Sequence, residues 1–193
     1  MIDYIKGSIA KITPACVILE TSGIGYFFNI SLTTFSELEN KTEAKILAHE
    51  VIREDAHQLF GFATEKEREI FRYLISVTGV GANTARMMLS SLSPAELELA
   101  IISSDVNVLK GIKGIGLKTA QRIIVDLKEK LGKSAETTEI FASFDNTNRE
   151  EALSALVMLG FAKSAVSKIL DKIVREERNL TVEAMIKKAL KNL

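Results

Sequence analysis

The spacing of apolar residues along the chain changes near Thr64. Before this point, short apolar and aromatic runs alternate with turn residues, which is typical of β-strands. After it, apolar residues recur every three or four positions, which is typical of amphipathic helices. The sequence therefore predicts an α+β protein with several domains, in which a β-rich region at residues 1–63 precedes helical regions.

Short apolar runs in the first region predict strands joined by tight turns. Several short strands at this spacing favour a small antiparallel barrel or a sandwich. One helical turn is expected between two of the strands, at residues 33–38. The predicted strands are Ala15–Leu19, Tyr26–Ile30, Ile46–Ile52 and Leu59–Phe62.

Three capping boxes predict where helices begin: Thr64–Glu67, Ser93–Glu96 and Thr147–Glu150. In each box the first side chain should cap the amide of the glutamate, and the glutamate side chain should reach back to the first residue. A helix over residues 123–131 is expected to end at Gly132. These signals predict a helical domain at residues 64–132.

The segment at residues 133–148 follows neither period and is rich in Ser, Thr, Asn and acidic residues, so a flexible linker is predicted there. An ordered loop is the alternative interpretation. Residues 149–193 predict a bundle of three short helices, interrupted near Gly160 and near Arg178-Asn179. A bundle this small is marginally stable alone, and we expect it to be supported by a partner.

The composition is that of a globular protein, with 47% hydrophobic and 26% charged residues. No apolar run approaches the roughly 18 residues that would cross a bilayer, and the N-terminus lacks the order of a signal peptide. The single cysteine, Cys16, excludes an internal disulfide framework and a multi-cysteine zinc site. A cytoplasmic protein with no membrane partner is the simplest expectation.

The net charge of zero conceals an uneven distribution. Residues 1–63 carry five basic and eight acidic residues, residues 64–133 carry eleven and eight, and residues 134–193 carry nine of each. The middle third is therefore the net-basic one. Because the distribution of charge indicates a nucleic-acid partner better than the total does, we expect such a partner to bind the middle third.

A Gly-x-Gly segment occurs twice in that basic third, at an offset of 35 residues, in Thr78–Met88 and in Lys113–Ile123. The glycines permit a turn with positive φ between two helices, and the second helix then offers free N–H groups and a favourable dipole to an anion. The apolar residue between the glycines, Val80 or Ile115, should point into the core. Amides in this arrangement bind a phosphate and read no base.

Two nucleotide-binding motifs and a purely structural role are the other interpretations of these glycines. A dinucleotide-binding fingerprint needs a third glycine, where Thr84 and Thr119 stand, and a preceding strand. A P-loop needs its lysine directly after the glycine, but Leu117 separates Gly116 from Lys118. Two helix turns without any ligand are the simplest alternative, and the two matched copies in the basic third favour phosphate binding over it.

Together with its flanks, the chain resembles the RuvA family of Holliday-junction-binding proteins over nearly all its length except the linker. The Gly-x-Gly segments look like the family's tandem helix-hairpin-helix, and Gly23–Tyr26 and Val51–Phe62 are also similar to family sequence. The resemblance implies an N-terminal OB-fold barrel that tetramerises, a central all-α tandem helix-hairpin-helix domain and a C-terminal UBA-like three-helix bundle. It also implies a homotetramer, or two tetramers that enclose an open four-way junction.

The resemblance assigns DNA contacts to both hairpins and implies binding that weakens steeply with salt. Asn83 stands where the family's first motif often carries a lysine, so the first hairpin should bring less charge to the DNA. The implied DNA-binding residues are Gly79, Val80, Gly81, Asn83, Thr84, Gly114, Ile115, Gly116, Lys118, Thr119 and Arg122.

The resemblance also identifies Glu54 and Asp55 as an acidic pin. Four copies would meet near the centre of a tetramer, where repulsion of phosphates disfavours continuous duplex and favours a separated junction. From the residues alone, a solvated hairpin tip is the simpler interpretation.

In the last region, the resemblance implies that Leu156, Leu159 and Phe161 contact the RuvB motor, whereas core packing is the plain interpretation of such residues. RuvB would hydrolyse the ATP that drives branch migration, and the complex would constrain access of the RuvC resolvase. No cofactor, metal site or catalytic residue is expected in this chain, since the sequence after His49 lacks the second histidine of a zinc protease motif.

Two other classes of function stay open at this point. A helix-hairpin-helix nuclease or glycosylase would need a catalytic residue after its hairpin, and Asp126 is the candidate, although it lies within a predicted helix. A pure protein-interaction module would show no salt-sensitive affinity for DNA.

Overall fold

The computed structural model of the chain describes residues 1–139, 144–177 and 180–192. The chain divides into two compact units, residues 1–132 and residues 133–193. The first unit contains a β-barrel and the two glycine-containing hairpins, and the second unit contains a bundle of helices.

Five strands form a closed barrel in the first unit: β1 (Tyr4–Thr13), β2 (Cys16–Thr21), β3 (Ile24–Ile30), β4 (Glu43–Ile52) and β5 (His57–Phe62). Their order around the barrel is β1-β2-β3-β5-β4, and β4 pairs with β1 to close it. Alternate side chains point inwards, so that Val17, Leu19 and Phe28 are completely buried. The expected OB-fold-like barrel is thus confirmed.

The barrel differs from the sequence prediction in two respects. Strand β1 was not predicted, because a register shift between Ile9 and Lys11 interrupts its alternation. The pairing of β3 with β5 is parallel, so the barrel is not wholly antiparallel. The chain between these two strands forms a short helix, α1 (Leu32–Leu38), and then β4, and this crossover returns β5 to the barrel in the direction of β3.

The helices that follow the barrel are α2 (Glu65–Ile75), α3 (Ala82–Ser91), α4 (Pro94–Ile102), α5 (Val106–Lys110) and α6 (Leu117–Glu139), the last of which continues past the end of the first unit at residue 132. Helix α1 confirms the helical turn predicted between strands. The capping box before α4 is also confirmed, since Ser93 Oγ accepts from the Glu96 amide at 3.3 Å and Glu96 Oε2 accepts from the Ser93 amide at 2.8 Å.

The barrel interior has a hydrophobic core of its own around Phe28, and a second core lies between the barrel and the helices. The ring of Phe71 on α2 lies between the two, with its centroid 5.2 Å from that of Phe60 and 4.8 Å from that of Phe62, both on β5. His49 on β4 meets the same ring edge-on, and burial together with the positive charges of Arg72 and Arg68 lowers its pKa. A neutral imidazole therefore serves as a packing group here.

The first predicted capping box forms only in part, because the Glu67 side chain bonds elsewhere. Thr64 caps α2 by accepting from the Glu67 amide at 3.2 Å, as predicted, but the Glu67 side chain does not return to Thr64. It is completely buried and accepts hydrogen bonds from the hydroxyls of Ser31 and Thr34 on the barrel side, and from the Ala63 amide at 3.3 Å. Two buried hydroxyls compete successfully for the carboxylate because an exposed cap would leave them without an acceptor.

Arg68, the next residue on α2, is also buried and reaches a different part of the barrel. Its Nη1 donates to Asp3 Oδ1 at 2.7 Å and to the Asp3 carbonyl at 2.9 Å, while Nη2 donates to Glu65 at 2.8 Å. Hydrogen bonds from a planar guanidinium in fixed directions hold α2 in one orientation on the barrel.

The second unit contains α7 (Phe144–Met158), α8 (Lys163–Glu176) and α9 (Val182–Leu190) around a core of their own. The predicted break at Gly160 is confirmed by its φ of +98°, whereas Arg178-Asn179 lies outside the described residues.

The predicted boundaries of the linker are wrong at both ends. Helix α6 continues through Gly132 to Glu139, since a glycine inside a helix costs only about 1 kcal/mol and the next residues favour a helix. Helix α7 begins at Phe144, so Thr147 lies inside a helix and does not open one. Of the expected linker, residues 140–143 lie outside the described residues.

Burial of the Glu67 carboxyl predicts a characteristic pH dependence of stability. Burial raises the pKa of Glu67 above its ordinary value of 4.5, and the hydrogen bonds from Ser31 and Thr34 oppose this rise without cancelling it. A raised pKa in the folded state means that the contribution of Glu67 is fully present below about pH 4.5 and is lost as the pH rises through the folded pKa.

We expect the unfolding free energy of the wild type, minus that of Glu67→Gln, to increase as the pH falls from 7 towards 4.5. Urea titrations of both proteins across this range measure the difference, in which the groups common to both cancel. A difference that is constant, or that decreases with falling pH, would contradict the assignment.

Candidate nucleic-acid interface

The first Gly-x-Gly segment forms a tight hairpin between α2 and α3. Gly79 has a φ of +94°, in the left-handed region that favours glycine, and Gly81 takes the N-cap position of α3 with no side chain capping it. The intervening Val80 is buried, and its amide donates to the Val77 carbonyl at 3.0 Å. The amides in the first turn of α3 have no partner within the helix and lie beside exposed Gly81 and Asn83.

The second segment repeats this geometry between α5 and α6. Gly114 has a φ of +90°, and buried Ile115 donates its amide to the Ile112 carbonyl, again at 3.0 Å. The first intrahelical bond of α6 runs from the Ala120 amide to the Gly116 carbonyl at 2.9 Å, and the equivalent bond of α3 has the same length. The sequence repeat is therefore a structural repeat, with two helix N-termini presented in the same way.

The two hairpins meet. Arg122 on α6 donates Nη1 to the Thr78 carbonyl of the first hairpin at 3.3 Å. A pocket of about 360 Å³ opens between them, and it is lined by Thr78, Gly79, Lys118, Thr119, Gln121 and Arg122. Lys118 and Arg122 are both exposed, so this pocket combines two cations with a glycine backbone. Such a lining suits a phosphate group.

The repeat is asymmetric in charge. At equivalent positions, Asn83 corresponds to Lys118 and Met87 corresponds to Arg122, as expected from the offset of 35 residues. The cation of α3, Arg86, donates to the Ala15 carbonyl at 2.9 Å and thereby attaches the helix to the barrel. The second hairpin therefore supplies the side-chain cations, and the first supplies mainly backbone amides.

Glu54 and Asp55 lie at the tip of the β4–β5 hairpin. The Arg53 amide donates to the Ala56 carbonyl at 2.8 Å, and the Ala56 amide donates back to the Arg53 carbonyl at 3.4 Å, so Glu54 and Asp55 form a two-residue loop. Both are exposed, and neither forms an ion pair within the described part of the chain. Two carboxylates on an exposed tip create a local negative potential that repels phosphate.

Family models match three parts of the chain. The model for the RuvA N-terminal domain matches residues 1–61, that for a SAM-like helix-hairpin-helix tandem matches residues 71–129, and that for the RuvA C-terminal domain matches residues 147–193. The chain is 51% identical over 193 residues to the Holliday junction branch migration complex subunit RuvA of Christiangramia forsetii, across the full length of both.

The chain belongs to the RuvA family. Proteins with the same description in Bacteroides thetaiotaomicron and Parabacteroides distasonis are 49% and 53% identical, over 201 and 196 residues and again across both full lengths. The OB-fold-like barrel, the tandem hairpins and the C-terminal helices expected from the resemblance are therefore all present.

The pocket between the hairpins gathers several of the expected RuvA-family DNA-binding residues and adds two that were not predicted, Thr78 and Gln121. Both lie inside the repeated segments, so the repeat itself was the available signal. Val80 and Ile115 differ from the other expected residues because they are buried in the core, and their amides donate to the Val77 and Ile112 carbonyls.

The expected partner-binding residues of the RuvA-family C-terminal domain do not share one environment. Leu159 is 63% exposed, but Leu156 is completely buried and Phe161 is half-buried against the same core. The expectation that Leu156 contacts a partner is not met, because its side chain fills the core. Met158, next to Leu159, is 88% exposed but was not among the expected residues. The spacing of apolar residues does not show which of them the turn at Gly160 leaves exposed.

Asp126, the candidate for an enzymatic role, lies on the exposed face of α6. It is ten residues beyond Gly116, which corresponds to about 15 Å along a helix, and it does not line the pocket between the hairpins. Among the described residues, no group of three or more His, Cys, Asp or Glu side chains is arranged to hold a metal ion. In that same part of the chain, no helix is both long and apolar enough to cross a membrane.

The two glycines of a hairpin should differ in how much stability the protein loses when each is replaced by alanine. Gly114→Ala should destabilise the protein by about 1–2 kcal/mol, because an alanine is strained at a φ of +90°. Gly116→Ala should change stability by less than about 0.5 kcal/mol, because its φ is not positive and a Cβ there would meet no atom within 4 Å.

Urea unfolding of the two variants beside the wild type provides the measurement. Equal losses of stability would show that the two glycines do not differ in this way.

Proposed function

We propose that this chain is the junction-binding subunit of a branch migration complex. It holds a four-way DNA junction open and binds the RuvB motor, which hydrolyses ATP to move the junction. The observation that carries the proposal is the pair of matched hairpins that meet at one cation-lined pocket, in a chain whose relatives are described as Holliday junction branch migration complex subunits.

Binding of the DNA backbone follows from the chemistry of the hairpins. The amides at the starts of α3 and α6 donate to phosphate oxygens, and Lys118 and Arg122 add charge-assisted contacts at the second hairpin. The remaining expected contacts come from the glycines and from Asn83, Thr84 and Thr119. None of these groups reads a base edge, so recognition depends on the shape of the DNA and on salt.

Selectivity for a junction comes from the acidic loop. Glu54 and Asp55 act as an acidic pin that repels phosphate where the strands cross, whereas the hairpins attract phosphate along the arms. A continuous duplex would have to pass the acidic loop, and a separated junction would not. The exposure of both carboxylates and the lack of ion pairs for them in the described residues support this assignment.

Assembly of four protomers matches the protein to the four arms of the junction. A homotetramer, or two tetramers on one junction, presents equal sets of hairpins to the four arms and gathers the pins at the centre. The barrel at residues 1–63 forms the tetramer, residues 64–132 supply the hairpins, and the bundle of α7, α8 and α9 binds RuvB. Exposed Leu159 and the neighbouring Met158 offer the apolar surface for RuvB.

The chain is an accessory subunit: the motor uses the ATP, and the described residues have no catalytic role and need no cofactor in this proposal. The complex limits access of the RuvC resolvase to the junction, and it works in the cytoplasm, where its DNA substrate is processed.

A competition between a four-way junction and a linear duplex of the same sequence tests this function. At moderate salt, the wild type should prefer the junction, and the double variant Glu54→Gln/Asp55→Asn should lose about tenfold of that preference, which corresponds to about 1.4 kcal/mol. Gel shifts with labelled junction and unlabelled duplex measure both. Equal binding of the wild type to both DNAs, or release of bases or cleaved strands, would contradict the proposal.

The role of Lys118 as a phosphate contact is tested by salt dependence. Lys118→Gln should lower the slope of log Kd against log salt by about one for each bound protomer, since one fewer counterion is released. Lys128→Gln is the matched control, because Lys128 lies on the same helix but donates to Ser104 Oγ at 2.8 Å, away from the pocket. Equal changes in slope for both variants would remove the special role of Lys118.

A further inference from the structure

Helix α1 contacts both legs of the first hairpin. It belongs to the barrel, between β3 and β4, whereas α2 and α3 are the two helices that the Gly79–Gly81 turn connects. These two helices meet α1 at the ends opposite to the glycine turn, because the contacts lie in the first turn of α2 and the last turn of α3. Helix α1 thus lies across the base of the hairpin.

The contact with α2 is the buried cluster around Glu67. The Ser31 hydroxyl donates to Glu67 Oε1, and the Thr34 hydroxyl donates to Glu67 Oε2 at 2.6 Å. Ser31 is also the N-cap of α1, since its Oγ accepts from the Thr34 amide at 3.0 Å. All three side chains are buried, so water cannot replace these bonds without opening the interface.

The contact with α3 is made by the first two residues of α1. Thr33 donates its hydroxyl to the Leu89 carbonyl at 2.8 Å, and the Leu32 amide donates to Ser90 Oγ at 3.1 Å. Leu89 lies in the last turn of α3, where carbonyls lack a partner within the helix. The Thr33 hydroxyl of α1 therefore satisfies one of the carbonyls at the C-terminal end of α3.

The position of the hairpin tip is sensitive to its base. Helix α2 has eleven residues and is therefore about 16 Å long, so that a rotation of about 10° at the base moves the glycine turn by about 3 Å. That displacement is as large as a hydrogen-bond length, and it is enough to lose a phosphate contact. The barrel that carries α1 also carries the acidic loop, through β4, which follows α1 directly.

We propose that α1 is a positioning strut that fixes the first hairpin relative to the acidic loop and thereby sets the preference for a junction over a duplex. The proposal rests on the proposed function. Ser31, Thr33, Thr34 and Glu67 are its positioning residues, and none of them lines the pocket between the hairpins. A duplex uses the hairpins alone, whereas a junction must satisfy the hairpins and the acidic loop at once, so the strut affects the junction more than the duplex.

The test removes the α3 contact without altering any DNA-binding residue. Thr33→Val retains the shape of the side chain but removes the hydroxyl, and Ser90→Ala removes the acceptor of the Leu32 amide. We expect the double variant to lose at least about fivefold of its junction preference while its Kd for duplex changes by less than about twofold. Thr33→Ser, which keeps the hydroxyl, should restore most of the preference in the presence of the wild-type Ser90.

Ser91→Ala is the matched control, because Ser91 also lies on α3 but donates to the Met87 carbonyl of its own helix at 3.0 Å. It should leave the preference unchanged. All variants are compared well below their unfolding temperatures, so that a general loss of stability does not enter the ratio. Glu67→Gln provides an independent variant at the α2 contact, with the same expected loss of preference.

The outcomes separate the two proposals. A wild type without junction preference would overturn the proposed function and the strut together. A wild type that prefers the junction, with variants at Thr33, Ser90 and Glu67 that retain this preference, would overturn the strut alone. An equal loss of affinity for junction and duplex would also overturn it, because the hairpins themselves would then be damaged.

Discussion

Two adjacent residues at the start of α2, Glu67 and Arg68, determine how the helical part of the first unit sits on the barrel. Both have ionisable side chains that are buried. Glu67 accepts hydrogen bonds from α1, whereas Arg68 donates to Asp3 near the start of the chain. Charged groups in an interior are tolerated only when their hydrogen bonds are complete, and completion here requires both the barrel and the helix. The interface is therefore specified by geometry as well as by apolar burial.

Both hairpins and the acidic loop are positioned by this interface between the barrel and α2. The shared core around Phe71 fixes α2, α2 leads into the first glycine turn, and Arg122 ties the second hairpin to the carbonyl of Thr78. The same barrel holds the acidic loop on a two-residue turn between β4 and β5. The hairpins and the acidic loop, which we propose attract and repel phosphate, thus belong to one compact unit.

Local features of the structure were predictable from sequence, and long-range ones were not. The hairpins were predicted correctly because glycines at fixed spacing, with an apolar residue between them, encode their own turn. Glu67 was predicted as an ordinary cap because its actual partner Ser31 is 36 positions away. The pocket between the hairpins depends on a bond between residues 44 positions apart, which no local pattern contains.

The error in the predicted start of the linker has a simpler cause. Gly132 carries no positive φ in the structure, so it acts as an ordinary helical residue, and the polar residues after it continue α6. Glycine is a reliable helix terminator only where the chain adopts the left-handed region, as it does at Gly79 and Gly114. In sequence, Gly79 and Gly114 differ from Gly132 by a second glycine two residues later, but Gly160 also has a positive φ and lacks this second glycine.

The closing of the barrel by β1 and β4 has a consequence for how the protein folds. Tyr4 pairs with Leu47 and Ser8 with Glu43, so closure joins segments about 40 positions apart, and such non-local pairing is slow compared with helix formation. All five strands precede α2 in the chain, however, and therefore leave the ribosome first. The barrel can close during synthesis and offer Leu47, Phe60 and Phe62 as a finished template, onto which the fast-forming helices condense as they emerge.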